Sequence, residues 1–332
     1  MKPKLLISTY GGHKLGAGHV FRDLELGKCL MDKMMIMFHT DGASKAAEIL
    51  RQRGIRHIQT GSLQSAIARL KPMMLLYDRP YSLGPMEELG IARVRTVALD
   101  YFYYQDKRIN AIVNIMNHYD RQHKGSTTVF EGVKYAIIRK EILQRRRKRK
   151  PIAHRVKNVL VTFGGADPRN NTKQTIDLLN DLPEERLNIT IVIGPIFRKG
   201  LERSIKLMLK NGPHKFFIKK RVLNMADLMA RTDLAFCGAG TTMMELLTIG
   251  CPVVVLPQNE QEAALAKNIG RAGALLFLGQ AYDLATAKKK IEALLKNYPA
   301  RKKLAAIGRK YFDGRGKERI RAILLKELKS GR

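Results

Sequence analysis

LLISTYGGHKLGAGHVFRDLEL, residues 5–26, runs from a short apolar stretch into glycines and then into a helical pattern. VLVTFGGADPRNNT, residues 159–172, repeats that order in the second half of the chain. Glycine has no Cβ, so a strand can turn sharply there and its backbone can approach an anion closely. A helix that follows offers free N–H groups and a partial positive charge. A third turn of this kind is FCGAGTTMMELL, residues 236–247. Outward from these turns, short β-type runs alternate with helical patterns along the whole chain. First-half strands are expected over 4–8, 34–40, 73–78, 95–100 and 111–116, with helices over 20–31, 43–52 and 63–70 among those between them. Second-half strands are expected over 159–163, 189–193, 215–218, 234–237, 252–256 and 274–278, with helices notably over 241–249 and 261–269. Alternating βα units predict an α/β fold of two parallel, doubly wound sheets. Right-handed crossovers put the loops after the strands along one edge, where ligands bind.

The length of 332 residues fits two domains. The expected division is an N-terminal Rossmann-like domain over 1–145, a basic linker over 146–157, a C-terminal Rossmann-like domain over 158–315 and a C-terminal helix over 316–332. The net charge of +32 draws anions: nucleotide diphosphates, nucleic acid or an anionic membrane surface. The densest run is RRRKRK, residues 145–150, read as a solvated linker face. With no Trp, no RNP-like aromatic motif and no zinc-finger spacing, specific nucleic-acid recognition is not expected. No run of about 18 apolar residues offers a membrane span. Cys29, Cys237 and Cys251 lie far apart without ligand spacing, which fits a reducing cytoplasm and argues against a structural metal.

Among titratable residues His19 stands out, because it follows Gly18 at an expected helix start. The positive helix end disfavours imidazolium and keeps a neutral ring that can act as a general base. Asp78 and Asp100 close two expected strands and would lie at the same sheet edge. Glu245, about one turn into its helix, is placed to accept hydrogen bonds from vicinal ribose hydroxyls, and Thr241 or Thr242 can cap that helix. Asn259, Glu260 and Gln261 are suitable partners for sugar hydroxyls and equally ordinary helix-start residues. Neither an Asp-x-Asp motif nor a Walker lysine nor a nucleophile elbow occurs, so metal-free chemistry without a cofactor is the simpler expectation.

These residues resemble a known family. The chain is similar to the UDP-sugar hydrolase of the pseudaminic acid pathway and to the spore-coat polysaccharide glycosyltransferase-like proteins. Both are similar in turn to the peptidoglycan N-acetylglucosaminyl transferase, with its two-domain GT-B fold facing a cleft. The likeness spans roughly residues 4–325. It rests on Gly16-Ala17-Gly18-His19 with Arg22, on Asp78–Tyr81, on Gly132 with YAIIRKE, and on VTFGGADPRNNT. It continues with LNMADLMARTDLAFCGAGTTMMEL, Asn259–Gln261 and DGRG at 313–316. The chain departs from the family at Ser8-Thr9-Tyr10, at Asp23 where Cys is usual, at Asn259 and Gln261 around Glu260 where an adjacent Asn-Gln pair is expected, and at Tyr101.

The resemblance implies that His19 is catalytic. It implies that Gly16, Gly18, Arg22, Asp78, Tyr81, Asn259 and Gln261 shape the sugar side. It places the nucleotide at Gly164, Gly165, Gly240, Thr241 and Thr242, with Glu245 on the ribose. The first function expected is hydrolysis of a UDP-sugar at the anomeric C–O bond with inversion, releasing free sugar and UDP for a nonulosonic acid or another surface glycan. The alternative is an inverting GT-B glycosyltransferase with a glycan or lipid acceptor, held at the cytoplasmic face of an anionic membrane. A third is a non-catalytic protein that binds nucleotide-sugar or polyanion.

Overall fold

The structure is a computed structural model. It describes all residues except 1, 12–17, 43, 61, 80–93, 102–105, 116–126, 149, 183–185, 195–196, 198–199, 210–211, 221 and 331–332. The chain divides into two units, Met1–Ile138 with Gly314–Arg332, and Arg139–Asp313.

The first unit holds seven parallel strands: β1 (Lys4–Thr9), β2 (Met35–Asp41), β3 (His57–Thr60), β4 (Met74–Asp78), β5 (Arg95–Leu99), β6 (Ala111–Asn114) and β7 (Thr128–Glu131). Their order is β3-β2-β1-β4-β5-β6-β7. The apolar runs at the centre are why: Leu5, Leu6, Ile7, Leu75, Leu76 and Val97 have no exposure, as strands covered on both faces require. Helix α1 (Gly18–Leu30) follows β1, and α2 (Lys45–Gln52) and α3 (Leu63–Leu70) carry the next crossovers. Ser44 caps α2 through Ala47 N–H, and Ser62 caps α3 through Ser65 N–H. The sequence pattern misses β3 and β7. Both are four-residue edge strands, HIQT and TVFE, and edges carry little of the apolar signal. The strand expected over 111–116 ends at Asn114.

The second unit repeats the order of the first six strands: β8 (Asn158–Thr162), β9 (Asn188–Ile193), β10 (Lys215–Lys220), β11 (Leu234–Cys237), β12 (Val253–Val255) and β13 (Leu276–Phe277) stand as β10-β9-β8-β11-β12-β13. Its helices are α4 (Lys140–Arg147), α5 (Asn171–Asn180), α6 (Leu201–Met208), α7 (Met225–Arg231), α8 (Thr241–Ile249), α9 (Glu260–Arg271), α10 (Leu284–Lys296) and α11 (Tyr298–Tyr311). Val159, Val161, Ile189, Ile191, Phe236 and Val254 form the middle of its core.

The basic run, expected as a solvated linker face, is solvated only in part: Arg147, Lys148 and Lys150 are exposed, whereas Arg145 and Arg146 are half-buried and in contact. The second unit begins at Arg139, and most of the run lies in or next to α4. The Arg146 guanidinium donates to the carbonyls of Thr248 (2.9 Å), Phe312 (2.8 Å) and Arg309 (3.0 Å), which lie near the C-terminal ends of α8 and α11. Arg145 pairs with Asp227 on α7. Arg301, wholly buried, donates to Leu294 and Leu295 at the end of α10 and to Ala153 and His154. Helix C-termini leave carbonyls unsatisfied and carry partial negative charge, so arginine is the fitting cap.

The last helix, α12 (Gly316–Lys329), belongs to the first unit rather than standing apart. Ile320, Ile323 and Leu324 are buried, Arg321 forks onto Asp32 (2.6 and 2.8 Å), and Arg319 donates to Lys134 O. A Cβ at Gly316 would lie 2.1 Å from Ala136 O, so DGRG needs its glycine where the returning chain crosses YAIIRKE. Among the described residues no helix is long and apolar enough to cross a membrane.

Candidate active site

In a 3-2-1-4-5-6 sheet the strand order reverses between the first and fourth strands, and their C-terminal ends open a crevice. In the first unit those strands are β1 and β4, with Thr9 opposite Asp78. His19 is the second residue of α1, the helix that leaves β1. Its Nδ1 lies 2.7 Å from Asp78 Oδ1. A carboxylate accepts, so Nδ1 carries the hydrogen, and in the neutral ring Nε2 keeps the lone pair that can take an incoming proton. The Asp78 carboxylate has no exposure, while the His19 side chain is 19% exposed.

Arg22, three residues on, lies on the same face of α1. It donates Nε to Asp78 Oδ2 (2.6 Å), pairs through Nη2 with Asp78 Oδ1, and reaches Asp100 Oδ2 through Nη1 (2.5 Å). Asp100 sits just past β5 at φ +46°, a left-handed conformation that Asp tolerates better than most residues, and its Oδ1 accepts the Ile115 N–H at 2.7 Å. Burial alone would raise the Asp78 pKa. The charges of Arg22 and His19 and their hydrogen bonds outweigh it and hold the carboxyl well below the usual range. Asp78 is therefore an anion at any working pH.

Asp23 is fully buried beside Thr9 and Asp78, and neither of its carboxyl oxygens has a partner at hydrogen-bond geometry. Burial first, then the negative charge of Asp78, pushes its pKa well above the usual range. Around His19 the Arg22 guanidinium is thus held between the side chains of Asp78 and Asp100. Ser8, Asp41 and Arg79 form a second network at the same sheet edge. Arg79 forks onto Asp41 (2.6 and 2.7 Å) and donates to Ser8 Oγ (3.1 Å). Tyr101, where the family pattern has an acid, is a core residue: unexposed, edge-on to Tyr77, with its hydroxyl donating to Asp106 at 2.7 Å. Gly18 opens α1, whereas Gly16 and Tyr81 lie outside the described residues.

In the second unit the reversal falls between β8 and β11. Gly164 has φ +74°, and a Cβ at Gly194 would lie 2.2 Å from Gly164 O and 2.4 Å from Gly165 O, so the turns after β8 and β9 meet with no room for side chains. Asp167 caps α5 through the N–H groups of Asn171 (2.8 Å) and Thr172 (2.9 Å). Gly240 is the N-cap of α8 and supplies no side-chain cap; Thr241 and Thr242 are the first two helical residues, not the cap. Asn259 caps α9 through Glu262 N–H, the ordinary helix-start role.

Glu262 was not singled out by the sequence. Its Oε2 accepts the N–H groups of Ala239 and Gln258, both at 2.9 Å, directly at the glycine turn. Burial raises its pKa despite those bonds. The i+3 spacing after Asn259 was the one available signal. Glu245 is 2% exposed, and its two oxygens receive Arg139 Nε (2.6 Å) and Nη2 (2.7 Å). Removing one member of so buried a pair costs about 3–5 kcal/mol. Among the described residues no group of three or more His, Cys, Asp or Glu could hold a metal ion.

Two parallel sheets flanked by helices, each with its order reversing after the first strand, define a two-domain α/β protein of the GT-B fold. A Rickettsia africae glycosyltransferase superposes with a TM-score of 0.69 over 98% of both chains at 14% identity. Acinetobacter baumannii MurG superposes with a TM-score of 0.66 over 98% of this chain and all of its own, at 16% identity. At such identities the likeness establishes the fold. In sequence, the chain is similar to the spore coat polysaccharide biosynthesis protein SpsG of Bacillus subtilis, 28% identical over 95% of both chains. It is 32% identical to an uncharacterized protein of Methanocaldococcus jannaschii over 77% of this chain, and spans 56% of that protein's length. No protein-family model matches.

Proposed function

We propose that the chain is an inverting, metal-independent enzyme of polysaccharide biosynthesis that takes a sugar from UDP and passes it to a glycan or lipid acceptor. The observation that carries this reading is His19 held by Asp78 at the β1–β4 crevice. His19 Nε2 removes the proton from an acceptor hydroxyl. The acceptor oxygen bonds to the anomeric carbon from the face opposite the diphosphate, and the C–O bond to UDP breaks with its electrons leaving on the phosphate. Asp78 stabilises the imidazolium that forms. The nucleotide is assigned to the Gly164-Gly165 turn and to Gly240, Thr241 and Thr242 at the start of α8, where backbone amides oppose the diphosphate charge. Gly18 and Gln261 are assigned to the sugar side, while Arg22 and the unexposed Asp78, expected there too, instead position His19. The charge of +32 suits an anionic membrane face where a lipid acceptor is held.

Similarity to SpsG and to glycosyltransferases supports transfer better than the hydrolysis that the sequence put first. Hydrolysis is the second reading, and the motifs shared with the UDP-sugar hydrolase of the pseudaminic acid pathway favour it. The two differ only in the acceptor, since the same base can activate water. The test is UDP release from a panel of UDP-sugars with and without glycan or lipid acceptors. Transfer predicts release that depends on acceptor; equal release in its absence means hydrolysis. No release from any donor under either condition overturns both.

A further inference from the structure

Helix α11 turns a face of cations to solvent. Lys302, Lys303, Ala306 and Lys310 are all exposed and fall within about 100° of arc, with Lys302 and Lys310 about 12 Å apart along the axis. Tyr311, at the end of this face, is 41% exposed. Residues 147–157 run along the flank of α11 and are tied to it at both ends. At the C-terminal end of the helix Arg309 donates to Arg146 O (3.1 Å), and Arg146 donates to Arg309 O (3.0 Å). Near its N-terminal end Arg301 donates to Ala153 O (3.1 Å) and His154 O (2.8 Å), and the His154 ring stacks on Tyr298 with centroids 3.9 Å apart. Arg147, Lys148, Lys150 and Lys157 on this strap are exposed as well. We propose that this strip of the second unit docks on the surface of an anionic phospholipid bilayer.

Charge, rigidity and shape carry the assignment. Neither α11 nor residues 147–157 contain an Asp or a Glu. Acids beside them are already engaged: Asp233 accepts the N–H groups of Lys157 (3.0 Å) and Asn158 (2.8 Å), and Glu292 pairs with Lys296 on α10. The strip therefore presents a field of one sign, which a negative leaflet complements. The bonds that hold the strap come from Arg146, Arg301 and Arg309, so the outer lysines stand on a fixed backbone without spending their own charge. A helix with a strap laid along its flank is broader than the lone helix that a duplex groove admits. A broad cationic face edged by a tyrosine suits the headgroup layer of a bilayer instead. The inference goes beyond the sugar-transfer reading and takes from it only the anionic membrane face.

Co-sedimentation of the full chain with lipid vesicles, in the absence of any sugar nucleotide, tests the docking apart from sugar transfer. The wild-type chain should bind vesicles of equimolar phosphatidylcholine and phosphatidylglycerol, bind them less as salt rises, and ignore phosphatidylcholine alone. Each cation near such a surface is worth about five-fold in affinity, so K302Q/K303Q/K310Q should bind about 100-fold more weakly. K219Q/K267Q/K326Q removes the same charge at exposed lysines elsewhere and should lose less than about five-fold. Both variants should melt within a few degrees of wild type, because the altered side chains are exposed. Equal losses in the two variants would overturn the proposal, since attraction would then follow net charge and not this strip. No binding to the anionic vesicles, or equal binding to phosphatidylcholine alone, would overturn it too. Duplex RNA that binds more tightly than the vesicles, with the same large loss in K302Q/K303Q/K310Q, would give the strip to nucleic acid and likewise overturn it.

Discussion

The two sheets share one strand order and differ in what stands where that order reverses. In the first unit the crevice holds ionisable side chains, His19 on Asp78, Arg22 across Asp78 and Asp100, with Asp23 buried beside Asp78 and its pKa raised. In the second it holds glycines that meet backbone to backbone, and a helix whose N-cap has no side chain. One topology thus presents titratable side chains in one copy and glycine-turn backbone in the other, and it is the site and not the fold that would carry function. Arginine shows the same contrast. In the first unit Arg22 organises the candidate base. In the second Arg146 and Arg301 close helix ends, so part of the +32 charge is internal structure and not surface for a partner.

The sharpest way to break this comparison is Asp78→Asn. It removes the anion that fixes the His19 tautomer and should lower kcat about 10²- to 10⁴-fold while UDP affinity stays near wild type, as turnover and calorimetry would report. A matching loss of UDP affinity would mean that the first unit also grips the nucleotide. Next in size, Arg146→Ala strands three carbonyls and should cost about 1.5–3 kcal/mol, read as a lower melting temperature, whereas its neighbour Arg147→Ala should stay within about 0.5 kcal/mol. Equal effects would restore the reading of a uniform solvated run.

Smallest is Asp23→Asn. The folded chain holds the Asp23 proton more tightly than the unfolded chain, whose Asp ionises near pH ~3.9, so wild-type stability falls as pH rises from there through the raised folded pKa. Asn cannot ionise. The variant should gain on the order of 1 kcal/mol over wild type at pH 7 and nothing near pH 3 in denaturant melts. A loss at pH 7 would mean that Asp23 works as an anion.

Much of this was legible before any coordinates. Runs such as LLIST and VLVTF are apolar because central parallel strands are covered on both faces, and periodicity sees that directly. His19, Asp78 and Asp100 each stand at a helix start or strand end that the pattern located, and Arg22 came with the family resemblance, although no spacing states that they meet. What stayed hidden was pairing across distance. The partner of Glu245 lies 106 residues upstream, at Arg139. The carbonyls that bind Arg146 lie over a hundred residues on, so a run of arginines looked like solvent-facing charge. Asp23 gave no signal either, because a buried neutral acid and an exposed anion read alike in a sequence.

In the proposed reaction the imidazole of His19 takes the acceptor proton while other groups hold the nucleotide. The direct measurement is single-turnover UDP-sugar cleavage by His19→Ala beside its UDP affinity. Turnover is expected to fall by about two to four orders of magnitude, with UDP binding unchanged within a factor of about two. Full turnover in that variant, or UDP binding lost together with turnover, would contradict it.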